Sequence, residues 1–166
     1  MMKTFEFSLR FDVGPCGLSE AEIDDRLYTA GCDDALVRHN RKGEVLVEYE
    51  READSAMAAL EEAKREVLNG LPGAVFLEAK PDYVSPTDIA IAYEITRQRV
   101  QKIIQTKGVG VHPLTNVGNT QIFRLAKVIN EFEKVGTSIH NVALYEAASA
   151  AFKLNREVDH GDSHLF

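Results

Sequence analysis

Apolar side chains recur at Phe5, Phe7, Leu9 and Phe11, with Thr4, Glu6, Ser8 and Arg10 between them. A period of two predicts a strand with one buried face. Gly14-Pro15 ends it. After Ser19 the period becomes helical. Ser19 suits the N-cap, Glu20 and Glu22 sit where the helix dipole favours acids, and Ile23 and Leu27 share a face. Gly31 stops this helix. Ala35 to His39 reads as a second strand, Asn40-Arg41-Lys42-Gly43 as a turn, and Val45, Val47 and Tyr49 as a third strand closing a hairpin. Asp54 or Ser55 caps a longer helix with Met57, Leu60, Ala63 and Val67 at helical spacing. Gly70-Leu71-Pro72-Gly73 ends it, and Ala74 to Ala79 is a fourth strand.

The order β-α-β-β-α-β over residues 1–80 is the split βαβ arrangement of ferredoxin-like domains, with helices on one sheet face and the other face open. Such a scaffold hosts many functions and selects none. The expected fold class is therefore α+β, with a different module after residue 80.

That second module begins at Ser85, an N-cap candidate followed by Pro86 at the first helical position and Asp88 three residues after the cap. Ile89, Ala90 and Tyr93 give the first helix its apolar face, and Ile95 fills the turn. Thr96 caps a second helix in which Val100, Ile103 and Ile104 face inward. Arg97, Gln98, Gln101 and Lys102 point away, with Arg99 on the flank. Arginine and glutamine form two-point hydrogen bonds with guanine and adenine edges in the major groove.

Charge changes the picture at this point. Residues 1–80 hold 10 Lys/Arg and 17 Asp/Glu, a net of 10 − 17 = −7, whereas residues 81–135 hold 7 and 5, a net of 7 − 5 = +2. Between Thr96 and Lys127 stand Arg97, Arg99, Lys102, Lys107, Arg124 and Lys127 with no acid among them. A polyanion is repelled by the first module and drawn to this segment.

Thr96-Arg97-Gln98-Arg99-Val100 and the helix pair around it resemble the helix-turn-helix of the excisionase and MerR-like winged-helix DNA-binding proteins. The resemblance extends from Gly108 to Val135 and covers about a third of the chain. Val111-His112-Pro113-Leu114, a turn at Asn116-Val117-Gly118-Asn119, and Thr120-Gln121-Ile122-Phe123-Arg124 read as a hairpin wing. Leu125, Val128, Ile129 and Phe132 then form the apolar side of a closing helix. One position departs from the motif: Glu94 stands where glycine is usual, which implies a longer turn or a different helix crossing.

The resemblance implies a sequence-specific DNA-binding regulator, a dimeric repressor. Arg97, Gln98, Gln101 and Lys102 would read bases, while Thr87, Thr96, Arg99, Lys107, Asn119, Gln121 and Arg124 would hold the backbone. The partners so implied are double-stranded DNA and a second copy. An antitoxin that silences its own operon and masks a toxin through residues 1–80 or 138–154 is the narrower alternative. A protein-interaction adaptor without DNA binding is the other. An effector on the open sheet face would make the chain a sensor, but no cluster of polar residues marks such a pocket.

Ser138 to Leu154 reads as a last helix with small residues at Ala143, Ala147, Ala148, Ala150 and Ala151, serving as a dimerisation surface or as a lid on the winged domain. Residues 136–166 thus form a helix and a polar tail carrying Asp159, His160, Asp162 and His164, read as unligated. Cys16 and Cys32 lack metal spacing and read as ordinary thiols. No activated nucleophile, acid–base pair, cofactor motif or metal site is legible, so neither an enzyme nor a cofactor is expected. The absence of an apolar leader or of an 18-residue apolar run predicts a cytoplasmic protein.

Overall fold

The alternating pattern of the first strand is realised as β1 (Lys3–Asp12), whose Phe5, Phe7, Leu9 and Phe11 all point into one core. The computed structural model describes residues 2–162, and the side chains of residues 2–160. After a short 3-10 turn at Gly14–Cys16 comes α1 (Glu20–Thr29). Ser19 Oγ accepts from Glu22 N–H and the Glu22 carboxylate accepts from Ser19 N–H, so both ends of the capping box close. β2 (Ala35–Arg38) and β3 (Glu44–Ala53) form the hairpin. Ser55, not Asp54, caps α2 (Ala56–Gly70). β4 (Val75–Lys80) completes a sheet of order β2-β3-β1-β4 in which every neighbouring pair is antiparallel. Leu27, Leu60, Ala63 and Val67 of the two helices pack on its buried face. Full burial of each phenylalanine or leucine stabilises by about 1.5–3 kcal/mol.

A second antiparallel sheet of three strands follows, in the order β5-β7-β6. It comprises β5 (Tyr83–Val84), β6 (Thr115–Val117) and β7 (Thr120–Arg124). Between β5 and β6 lie α3 (Pro86–Tyr93) and α4 (Arg97–Ile104), and β7 runs into α5 (Leu125–Glu133). Ile89, Tyr93, Val100, Ile103, Phe123, Val128 and Phe132 share a separate core, with the Tyr93 and Phe132 rings 5.2 Å apart. Among the described residues the architecture is mixed α+β, with six α-helices and two antiparallel sheets.

Several details differ from the sequence reading. The first hairpin strand is Thr115–Val117 rather than residues 111–114, and Val111 packs in the second core instead. Tyr83–Val84, read as a lead-in, pairs with Arg124 and Phe123 as a third strand. The turn after α3 is not lengthened. Glu94 itself takes the left-handed conformation (φ 56°, ψ 42°). Ile95 N–H then donates to Ala90 O and Glu94 N–H to Ile91 O, which satisfies the last carbonyls of the helix. A side chain in that conformation costs on the order of 1 kcal/mol that glycine avoids.

The last helix, α6 (Val142–Asp162), starts later and runs further than expected, so Asp159 and His160 belong to a helix rather than to a tail. His164 lies outside the described residues. The small-residue face of α6 is used within the chain. Ala148 joins the second core, while Ala150, Ala151 and Leu154 join the first. Asn155, buried, accepts from Ala79 N–H (2.7 Å) and donates to Ala79 O (2.8 Å). Its amide thereby replaces a neighbouring strand along the outer edge of β4, where backbone groups would otherwise lack partners. Among the described residues no helix is long and apolar enough to cross a membrane.

Candidate nucleic-acid interface

Two helix starts and a hairpin converge on one polar surface. Ser85 Oγ accepts from Asp88 N–H (3.2 Å), and the Asp88 carboxylate accepts from Ser85 N–H (2.9 Å), so α3 begins with a closed capping box. α4 begins differently. Thr96 Oγ1 accepts from Arg99 N–H (3.1 Å), but the first turn holds no acid. Arg97 and Arg99 stand at the positive end of the helix dipole, an arrangement that costs roughly 0.3–1 kcal/mol relative to acids there. The chain places acids at the starts of α1 and α3 and cations at the start of α4. Cations plus unpaired backbone N–H groups at one helix end make a surface suited to an anion.

Thr87, Arg97, Gln101, Asn119 and Gln121 line one cleft of about 310 Å3, together with Ser85, Pro86 and Thr120. Ser85 and Thr120 are not among the DNA contacts expected from sequence. Ser85 is read as a cap, and Thr120 gives no signal until the hairpin turns it towards α3. Gln101 Nε2 donates to Gln121 Oε1 at 3.5 Å, a long contact that ties α4 to β7. Thr87, Thr96, Arg97, Gln98, Arg99, Lys102, Lys107 and Asn119 are exposed, and Gln101 and Gln121 half-buried. Lys107 lies in the loop after α4, outside the cleft. Among the described residues Arg97, Arg99, Lys102 and Lys107 form no ion pair.

Arg124 departs from the expected role. Its side chain is 9 % exposed and points away from the cleft into the junction between the two cores. Nη1 donates to Asp82 Oδ2 (3.0 Å) and Nη2 to Tyr83 Oη (3.1 Å), while the guanidinium lies over the Tyr83 and Phe152 rings. These contacts leave it no reach to a phosphate. Asp82, wholly buried, also accepts from Asn155 Nδ2 (2.8 Å), and its Oδ1 has no partner. Burial pushes the Asp82 carboxyl above the usual carboxylate range, against the pull of Asn155 and Arg124. Lys127 is also drawn off, with Nζ 5.6 Å over the Phe152 ring.

The surface offers donors, amides and positive charge, and the Ser85 hydroxyl within it donates to the Asp88 carboxylate (2.9 Å). In three comparisons, with protein-family models, with curated proteins and with solved structures, nothing matches this chain.

Proposed function

We propose that the chain is a sequence-specific DNA-binding regulator that lays α4 in the major groove. In this reading residues 1–80 form a ferredoxin-like domain and residues 81–135 a winged helix-turn-helix, with the β6–β7 hairpin as the wing. Gln98, Gln101, Arg97 and Lys102 read base edges. Thr87, Thr96, Arg99, Lys107, Asn119 and Gln121 hold the sugar-phosphate backbone. Arg124 is reassigned to holding the wing strand against Asp82.

The observation that carries the proposal is the unpaired cationic start of α4. Arg97 and Arg99 stand exposed in the first turn of α4, where they oppose the dipole, and Lys102 is exposed in its last turn. A partner rich in phosphate makes that arrangement favourable. Strand order and helix placement support the fold assignment, since β2-β3-β1-β4 with two helices on one face is the split βαβ topology.

The test is fluorescence titration of duplexes selected from a random pool, at two salt concentrations. About six neutralised phosphates give a log–log salt slope of roughly −5. An affinity indifferent to salt, or selection that enriches no sequence, refutes the proposal.

A further inference from the structure

The four-stranded sheet covers one face with α1 and α2 and leaves the other open. Val45, Val47 and Tyr49 of β3 point into the core, so Glu48, Glu50 and Glu52 point to the open side. Glu50 stands directly opposite Glu6 of β1, with Glu52 opposite Thr4 and Glu48 opposite Ser8. Like charges in direct register destabilise a sheet. Arg38 pairs with Glu48, and Arg10 with Glu44 and Glu78. Among the described residues Glu6, Glu50 and Glu52 have no cation paired to them. The surface is concave. A trough of about 560 Å3 runs between Glu6, Asp34, Glu48, Glu50 and Leu36, with Lys80 at its side, so acids outnumber cations along it. Leu36 is 53 % exposed beside it.

The chain carries the complement of this trough. α4 presents Arg97, Arg99 and Lys102, exposed and unpaired. Its eight residues span about 12 Å. Glu6 and Glu50, directly opposite across the strands, have Cβ atoms about 5 Å apart, close to the 5–6 Å between residues three apart on a helix, here Arg99 and Lys102. We infer that the open sheet face of one copy seats the α4 of a second copy, and that the contact is reciprocal. A reciprocal contact closes as a two-fold dimer and uses up both charged surfaces. The glutamates then occupy the place of phosphates. The dimer is a resting form in which α4 is masked, and DNA competes with the second copy for it. That regulatory consequence rests on the DNA reading; the docking does not.

The experiment is charge-swap complementation read by sedimentation velocity on the full chain. One variant carries Glu6→Lys and Glu50→Lys, the other Arg97→Glu and Lys102→Glu. All four positions are exposed, and circular dichroism with unfolding midpoints checks that each variant keeps its fold. The wild type is expected to dimerise at about 50 mM salt and to dissociate near 500 mM, where screening shortens to a few ångströms. Each variant alone loses the dimer, and an equimolar mixture regains it. A wild type that stays monomeric, a dimer that survives in either variant, or a mixture that stays monomeric overturns the inference. A monomer that instead binds an oligolysine peptide through Glu6 and Glu50 overturns the second copy as occupant and gives the face to a basic partner. Recovery in the mixture, with no DNA bound by any form, leaves the docking standing and removes only the DNA reading.

Discussion

Arginines of the four-stranded sheet are tied down, and those of α4 are not. Arg51 is held by Asp34 through two hydrogen bonds of 2.8 and 2.9 Å and by Glu66 through a third of 2.9 Å, while it lies over the Tyr49 ring. Arg10 bridges Glu44 and Glu78. Among the described residues Arg97 and Arg99 pair with no carboxylate. Arg124 follows the first pattern although it lies in the second region. A cation that the fold has neutralised reports on stability. One that the fold leaves exposed, where it costs stability, reports on a partner.

The largest expected effect is at the junction. Arg124→Ala leaves the Asp82 carboxylate buried without its counter-charge, a change that costs about 3–5 kcal/mol. Urea unfolding measures it. A loss below 1 kcal/mol would mean that water reaches Asp82 and the pairing is not structural. Asn155→Leu comes next. It strips partners from Ala79 and Asp82, at roughly 1–3 kcal/mol for each buried group left unsatisfied.

Arg97→Glu sharpens the comparison directly. Placing an acid at the start of α4 should raise stability by about 0.3–1 kcal/mol. The same change should remove DNA binding. Arg97→Ala should cost about 1–3 kcal/mol at its contacted base pair with stability nearly unchanged. An Arg97→Glu protein that is both less stable and equally competent on DNA would erase the distinction between the two kinds of arginine. Glu94→Gly relieves the left-handed strain and should stabilise by about 1 kcal/mol or less, read as a rise in Tm.

The smallest effect is electrostatic and pH-dependent. The Arg51 guanidinium holds Asp34 below the usual carboxylate range, with burial opposing it. Because the folded value lies below the unfolded one, the contribution is fully present above the unfolded pKa and is lost as pH falls through the folded value. Asp34 is 40 % exposed, so solvent screens much of this. Asp34→Asn should therefore be slightly less stable than wild type near pH 7, with the difference shrinking as pH falls below the usual carboxylate range. Unfolding curves across that range check the sign.

The local signals in this chain identified elements well where one face meets one core. Phe5, Phe7, Leu9 and Phe11 announce β1, and the Ser85-Pro86-Thr87-Asp88 start announces α3, because period and cap chemistry act over a few residues. The exposed row of α4 was legible for the same reason, since Val100 and Ile103 place the remaining side chains outward. The cleft was legible only in part. Ser85 and Thr120 join it through the fold of the hairpin over α3, which no local spacing encodes.

Sequence alone determined the periods, the capped starts of α1, α3 and α4 and the segregation of charge, since each follows from neighbours along the chain. Tertiary structure decided the use of Arg124, the alanine face of α6 and the edge of β4. Asp82, Arg124 and Asn155 are 42 and 73 residues away from one another when counted from Asp82, and they meet because burial requires each polar group to find a partner. Arg124 sits in a basic run that looks free in one dimension; only the approach of Asp82 and α6 showed that its charge was already spoken for.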